Sequence, residues 1–227
     1  MNIAEKFEII TDKVYEKGVE DMRLAVTNYI TDNNTRINYH NAFQYSNFTG
    51  FEFAYTIKPT GYVSNLFYTC TKMVEPPKPI DLSEIFSNGN DTATYRKSAF
   101  AYCYALEKVP DLNMRAINGI EEWFRQCGAL HTIELLRVHE NTIYTNTFYE
   151  CRALENIAFD GVIGQDISFK ESPLLTDASL QNIAEHLKDF NAVGSGSATI
   201  TLHATVKNRI EGTPIYSAIT GKGWTIV

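Results

Sequence analysis

The chain has 227 residues, 44% of them hydrophobic, and a formal net charge of −7. This is enough apolar mass for a full core, either as one elongated unit or as a main unit with small caps. Basic residues are scattered among more numerous acids, which excludes a surface built to track phosphates, and no apolar run reaches the roughly 18 residues of a membrane span.

The first residues, Met1-Asn-Ile-Ala-Glu-Lys-Phe-Glu, lack a basic region followed by an apolar core, so no secretory signal is expected. The expected location is the cytoplasm of the expressing cell or a virion freed by lysis; a surface location would require an earlier segment. Residues 3 to 31 read as helix, with Ile3, Phe7, Ile10 and Val14 on one face and Met22, Val26 and Tyr29 or Ile30 resuming it after Gly18. We assign residues 1–41 as an N-terminal cap over the first repeat. The alternative is a seam through Phe7, Ile10 and Val14 that joins copies into a homo-oligomer, but Lys17 and Asp21 break it.

A repeat follows. Phe100-Ala-Tyr-Cys103-Tyr-Ala-Leu106, Phe124-Arg-Gln-Cys127-Gly-Ala-Leu130 and Phe148-Tyr-Glu-Cys151-Arg-Ala-Leu154 recur with their Phe residues 24 apart. A fixed period in this range means stacked coils of a solenoid. Phe67-Tyr-Thr-Cys70 is an earlier copy, separated from Phe100 by one period and a polar insertion within residues 87–98, which reads as an exposed loop. Phe43-Gln-Tyr-Ser46 and Phe169-Lys-Glu-Ser172 are irregular end copies with Ser in place of Cys. In Leu130-His-Thr-Ile133-Glu-Leu135 and Leu154-Glu-Asn-Ile157-Ala-Phe159 the last two apolar positions alternate as a strand. Strands of successive coils then pair in parallel. Their inner face is core, and Lys108, Pro110, Thr132, Glu134, Asn156 and Ala158 face outward as the candidate ligand surface. Glu75-Pro-Pro-Lys-Pro79 occupies one strand position, and its prolines, which cannot donate to a ladder, mark an interruption or an edge.

The Phe-x-x-Cys-x-x-Leu-x-x-Ile unit with spaced Val and Ile after it resembles the bacterial leucine-rich repeat of the BspA-like type. With Lys13-Val-Tyr-Glu-Lys-Gly18, Gly161-Val-Ile-Gly-Gln-Asp-Ile-Ser-Phe169, Leu175-Thr-Asp-Ala-Ser-Leu180-Gln-Asn-Ile183 and Gly223-Trp-Thr-Ile-Val227, the chain is similar to leucine-rich-repeat proteins encoded in phage tail and prophage regions of gut Firmicutes. The resemblance implies a leucine-rich-repeat solenoid of about five coils over residues 42–175 and a phage or prophage setting. It implies no activity.

All four cysteines share one repeat position. The first reading is a row of buried reduced thiols, the second disulfides between coils, which parallel side-chain directions disfavour, and the third a zinc site, which lacks paired C-x-x-C ligands. Substituting Cys127 by Ser is expected to destabilise such a row. His40, His131, His139, His186 and His203 form no metal or triad spacing, His139-Glu140 has no third group, and neighbouring Glu121-Glu122 point apart. Gly194-Ser-Gly-Ser197 reads as a linker rather than a phosphate loop. Neither a catalytic residue nor a cofactor is assigned.

Residues 176–227 read as a small α/β cap. Thr176 is an N-cap with Asp177 in the first turn, and Leu180, Ile183, Ala184, Leu187 and Phe190 form one helical face. Ala198 to His203 is a strand, Val206 to Ile210 a helix and Trp224 to Val227 a second strand, together covering the open edge of the last coil. The chain is thus expected to be α/β and to act as a non-enzymatic binding or structural module, in a phage tail or baseplate if the resemblance holds. Its binding face would comprise the outward strand residues and the aromatic-rich loops, for a protein or carbohydrate ligand. A host-contacting surface adhesin is the alternative. A sugar-directed enzyme ranks third, since a glycosidase needs two facing carboxylates.

Overall fold

The computed structural model describes residues 43–46, 52–57, 63–76, 78–80, 97–115 and 119–227, with the segments 52–57 and 78–80 described by their backbone alone. The residues read as an N-terminal helical cap and nearly all of the 87–98 insertion lie outside the described residues.

The 24-residue recurrence of phenylalanine becomes a column of stacked rings. Phe43 and Phe67 lie 5.2 Å apart, Phe67 and Phe100 5.2 Å, Phe100 and Phe124 5.6 Å, and Phe124 and Phe148 6.1 Å. Phe169 closes the column at 4.8 Å from Phe148. Around Phe67, Phe100, Phe124 and Phe148 the chain makes two tight turns, at the second residue before and the second after the phenylalanine. Asn65 and Thr69, Ser98 and Tyr102, Glu122 and Gln126, and Asn146 and Glu150 all have φ between 54° and 64°. For residues other than glycine this left-handed backbone costs roughly 1–2 kcal/mol each. Contacts between units offset it. The Phe100 amide donates to the Trp123 carbonyl at 2.9 Å, Tyr102 to Arg125 at 2.8 Å and Gln126 to Tyr149 at 2.7 Å, so each turn rests on the next.

On the opposite side of each unit runs a strand. β1 (Glu52–Ile57) and β2 (Lys78–Ile80) pair in parallel, as do β3 (Lys108–Asn113), β4 (Thr132–Arg137) and β5 (Asn156–Asp160), in the order β3-β4-β5. β6 (Ile167–Phe169), β7 (Ala198–Leu202) and β8 (Trp224–Ile226) form a third parallel sheet in that order. The molecule is therefore mixed α/β with parallel sheets, none of which closes into a barrel among the described residues. β2, which contains Pro79, pairs with β1 and not with β3. The link back from β3 is the Glu107 amide donating to the Val74 carbonyl at 2.8 Å. The proline-rich segment thus marks a break between sheets.

The core-facing pattern of the central sheet differs from strict alternation. In β4 Ile133 and Leu136 are buried while Leu135 is half-buried, and β3 matches it with Val109 and Leu112. β5 does alternate, with Ile157 and Phe159 buried. The register shifts so that Leu136 stands beside Phe159. β3 and β4 spend one more residue between their inward side chains than β5 does, as a bulge requires. The inward residue is therefore Leu136, not the expected Leu135, and Leu135 pairs with Asp111 of β3.

Helix α1 (Asp177–His186) replaces a further strand at the edge of β5. Thr176 caps it, accepting from the Ser179 amide. Ser179 Oγ accepts from the Ile157 amide at 3.0 Å and Asn182 Oδ1 from the Phe159 amide at 2.7 Å, which satisfies the donors of an edge that would otherwise recruit another chain. Instead of extending its apolar face to Phe190, α1 ends at His186, with Leu187 as C-cap, and Phe190 opens the short α2 (Phe190–Val193). After β7 come α3 (Ala204–Ile210) and α4 (Pro214–Gly221). The sequence reading missed α4, although Thr213 before Pro214 is a strong start signal: Thr213 caps the helix, and proline at its first position sacrifices no hydrogen bond. β6 pairs with β7 at Ile167 and Ile200, so the last repeat position also seeds the C-terminal sheet.

Candidate functional site

The outward side of β3-β4-β5 carries the residues expected to face a ligand. Lys108 and Glu134 form an ion pair across β3 and β4, and the carboxylate's hydrogen bond holds the Lys108 ammonium above its usual pKa. Thr132 Oγ1 lies 3.0 Å from His131 Nδ1. Asn156 Oδ1 accepts from Thr176 Oγ1 at 3.4 Å, and Ala158 is half-buried beside it. At the C-terminal ends of the strands Arg137 grips Asp111 through Nε and Nη2 and reaches Asp160 through Nη1 at 2.9 Å, while Arg115 binds Asp160 at 2.8 Å. The Asp111 hydrogen bond, ahead of the charge of Asp160, raises the Arg137 pKa. Three cations and three anions are thus matched on this face. A charged ligand would have to break an existing pair to bind.

The turn side is different in kind. Because the backbone reverses twice around each phenylalanine, the residue one or two places after it projects from the stack. Those residues are Tyr45, Tyr68, Tyr102, Arg125 and Tyr149, which contact one another in sequence. Tyr45 meets Tyr68 edge to face at 6.1 Å and Tyr68 meets Tyr102 at 5.2 Å. The Arg125 guanidinium lies 5.8 Å from the Tyr102 ring and 5.4 Å from that of Tyr149, so it occupies the rung that lacks a tyrosine. Its Nη1 also binds Glu122 at 3.2 Å, and Glu122 accepts from Ser98 Oγ. Tyr104 adds a ring 6.3 Å from Tyr102. Tyr45 is 64% exposed, Tyr104 51% and Tyr149 41%. Burial, ahead of the neighbouring phenols, raises the pKa of Tyr68. This ladder was legible only in outline: each member follows a repeat phenylalanine, but by two residues at Tyr45 and Tyr102 and by one at Tyr68, Arg125 and Tyr149, which hid the alignment.

The cysteine row is internal. All four thiols are buried and free. Each donates to the carbonyl of the preceding repeat phenylalanine: Cys70 to Phe43 and Cys103 to Phe67 at 3.0 Å, Cys127 to Phe100 at 3.1 Å and Cys151 to Phe124 at 3.0 Å. Burial pushes Cys127 up to about 12 and raises Cys103 and Cys151 as well, which suppresses the thiolate needed for nucleophilic or metal chemistry. Ser172 holds the same turn position in the last copy, donating to the Cys151 carbonyl at 3.1 Å.

The histidines serve local structure. His139 Nδ1 accepts from the Asn141 amide, His186 Nδ1 lies 2.8 Å from the Gly161 carbonyl, and His203 Nδ1 caps α3 by accepting from Thr205. Glu140 pairs with Lys188 at 3.1 Å. Among the described residues no group of three His, Cys, Asp or Glu is placed to hold a metal ion, and no helix is long and apolar enough to cross a membrane. His40 lies outside the described residues.

Among the described residues the class is thus a mixed α/β protein with parallel sheets, a charge-matched face on β3-β4-β5 and a half-exposed row of contacting tyrosine and arginine side chains on the turn side. Comparison with protein-family models, curated proteins and solved structures finds no match.

Proposed function

We propose that the chain is a non-enzymatic recognition module of a phage- or prophage-encoded particle, in the tail or baseplate, built as a leucine-rich-repeat solenoid of about five coils between an N-terminal helical cap and the C-terminal α/β cap. The units that stack at 24-residue spacing support the solenoid, and the resemblance of the repeat and its flanking segments to phage-encoded leucine-rich-repeat proteins supports the setting. The observation that carries the recognition reading is the ladder from Tyr45 to Tyr149, in which the units of Phe43, Phe67, Phe100, Phe124 and Phe148 each place a tyrosine ring or the Arg125 guanidinium on one side. The stack is held together by the phenylalanine column and the backbone ladder, so exposed rings on its rim add little to folding and much to contact area. On the other face Glu134, Asp111 and Asp160 are each bound to a cation, which supports binding over acid–base chemistry there.

The test is sedimentation of the labelled full chain with intact Gram-positive cells. Wild type is expected to co-sediment, and a Tyr45→Ala/Tyr149→Ala variant with an unchanged melting curve is expected to stay largely in solution. No co-sedimentation, or equal co-sedimentation of both proteins, overturns the reading.

A further inference from the structure

We infer that Tyr68 and Tyr102 form a site of oxidative modification, at which a one-electron oxidant joins the two phenols into a dityrosine staple between successive units. The inference goes beyond the recognition reading and does not depend on it.

Geometry selects the pair. Dityrosine forms when two phenoxyl radicals bond through the ring carbons next to their hydroxyls, so two tyrosines couple only where those ends meet. Tyr45 and Tyr68 lie 6.1 Å apart at 90°, and Tyr102 and Tyr104 6.3 Å apart at 83°. Tyr68 and Tyr102 are closer, at 5.2 Å, and less perpendicular, at 65°. The smaller tilt brings the π lobes of the two rings nearer to overlap, which the new bond requires. After burial, the Tyr102 phenol acts most strongly on that of Tyr68, ahead of the Tyr45 phenol, so the hydroxyl ends stand together as well as the ring centres.

The backbone fixes both partners. On either side of Tyr68, the Phe67 amide donates to the Ala99 carbonyl at 2.6 Å and the Thr69 amide to the Ala101 carbonyl at 2.8 Å. Tyr102 sits at a left-handed turn whose amide is bound to the Arg125 carbonyl at 2.8 Å. Coupling then needs a small closure of two side chains and no rearrangement of the turns.

Oxidation enters from outside and is confined to this end of the row. Tyr45 and Tyr104, 64% and 51% exposed, meet solvent and contact Tyr68 and Tyr102 respectively. A radical formed on either can take an electron from the inner phenol, an exchange between like groups. Arg125 stands between Tyr102 and Tyr149, at 5.8 and 5.4 Å, and a guanidinium has no phenol to oxidise, so Tyr149 is cut off from the pair. The thiols of the same units, Cys70 and Cys103, are buried, and burial keeps Cys103 protonated, which makes them poor competitors.

The step balances. Each phenol gives up one electron and its hydroxyl proton, the two radicals form one carbon–carbon bond, and the two displaced ring hydrogens move to the oxygens as protons and restore both phenols. The net loss of two electrons and two protons reduces one hydrogen peroxide to two waters, with a haem peroxidase as the one-electron carrier. The product ties together the units on either side of the 87–98 insertion.

The experiment is brief treatment of the dilute full chain with a haem peroxidase and hydrogen peroxide, isolation of the monomer, and peptide mapping by mass spectrometry. The expected product is a pair of peptides joined through Tyr68 and Tyr102, lighter than their sum by two hydrogens and showing dityrosine fluorescence. Tyr68→Phe, checked for an unchanged melting curve before treatment, is expected to lose this link completely, and Tyr149→Phe to keep it. The linked monomer is expected to melt roughly 5–10 °C above the untreated chain, because the bond closes a long loop. No linked monomer, a link carried chiefly by another tyrosine pair, or a linked monomer that melts no higher overturns the proposal. Each of these results leaves the cell-binding test of the recognition reading untouched.

Discussion

Ser179 Oγ accepts a hydrogen bond from the Ile157 amide at 3.0 Å and donates to the Glu155 carbonyl at 3.0 Å. One serine on a helix thus supplies what the next strand's backbone would supply in a continued sheet. Asn182 does the same for the Phe159 amide. Replacing Ser179 by Ala strands a buried donor at a cost of about 1–3 kcal/mol. We predict a lower urea midpoint with an unchanged slope for this variant. Ser179→Ala/Asn182→Ala should also expose the β5 edge and associate with rising concentration, visible by light scattering. A double variant as stable and as monodisperse as wild type would show that α1 does not seal the edge.

Lys222 ties the far end of that helix. Its Nζ donates to the carbonyls of Ala184, Glu185 and Leu187 at 2.7, 2.8 and 3.0 Å, filling the positions where α1 has no further turn to bond. A cation there also complements the helix dipole. Lys222→Met keeps the stem and removes the donors. The expected loss is about 1–3 kcal/mol, which lowers the melting temperature by roughly 2–10 °C in a chain of this size. Hydrogen exchange at the last turn of α1 should accelerate with it.

Two glycines allow neighbouring units to approach. A Cβ on Gly164 would sit 2.4 Å from the Glu140 carbonyl oxygen, and one on Gly161, where φ is +109°, 2.0 Å from that of Val138. Both obstacles are backbone, which moves only if the unit spacing moves. Gly164→Ala is therefore expected to cost more than about 2 kcal/mol, whereas Gly128→Ala, with nothing within 4 Å, should stay within about 0.5 kcal/mol. Thermal melts of the two variants side by side check the contrast.

What the sequence disclosed follows the physics of repetition. The phenylalanine and cysteine positions recur with one side-chain chemistry at one period, so their alignment could be read before any coordinate. The strand register was half legible: Leu135 and Leu136 are equally apolar, and only pairing with Phe159 decides which turns inward. The same limit hid the edge closure, since Ser179 and Asn182 read as ordinary helix-surface residues until β5 lies beside them. The strand pattern named Lys108 and Glu134 among the outward residues, but composition could not show that the two are spent on each other. The Tyr45–Tyr149 ladder needed the left-handed turns, which nothing in residues such as Glu122 or Gln126 announces.

The thiol row makes stability fall at alkaline pH, with a sign fixed by burial. Cys127 is pushed from the ordinary 9.0 up to about 12, and Cys103 and Cys151 are raised in the same direction. In the unfolded chain the thiols lose their protons near the ordinary value, while the folded protein keeps them. Above pH 9 the native state therefore binds more protons than the unfolded state, and unfolding free energy declines with pH. The contribution is complete below the unfolded value and is lost as pH rises from about 9 through 12. Cys127→Ala should flatten the decline in that window relative to wild type, at the cost of one of the two hydrogen bonds to the Phe100 carbonyl, which keeps the Cys103 amide, and a small cavity at every pH. Cys127→Ser tests the structural half of the argument. Ser172 holds the equivalent turn position in the last copy and donates to a backbone carbonyl. A hydroxyl at this turn position can thus find a backbone acceptor, although Ser172 bonds the Cys151 carbonyl and not that of Phe148, and serine should cost less than alanine, a milder effect than burial of a polar group alone implies. Urea unfolding of the three proteins at pH 7, 9 and 10.5 decides it. Parallel pH profiles for wild type and Cys127→Ala would mean that the thiol is solvated in the folded state, contrary to the packing described.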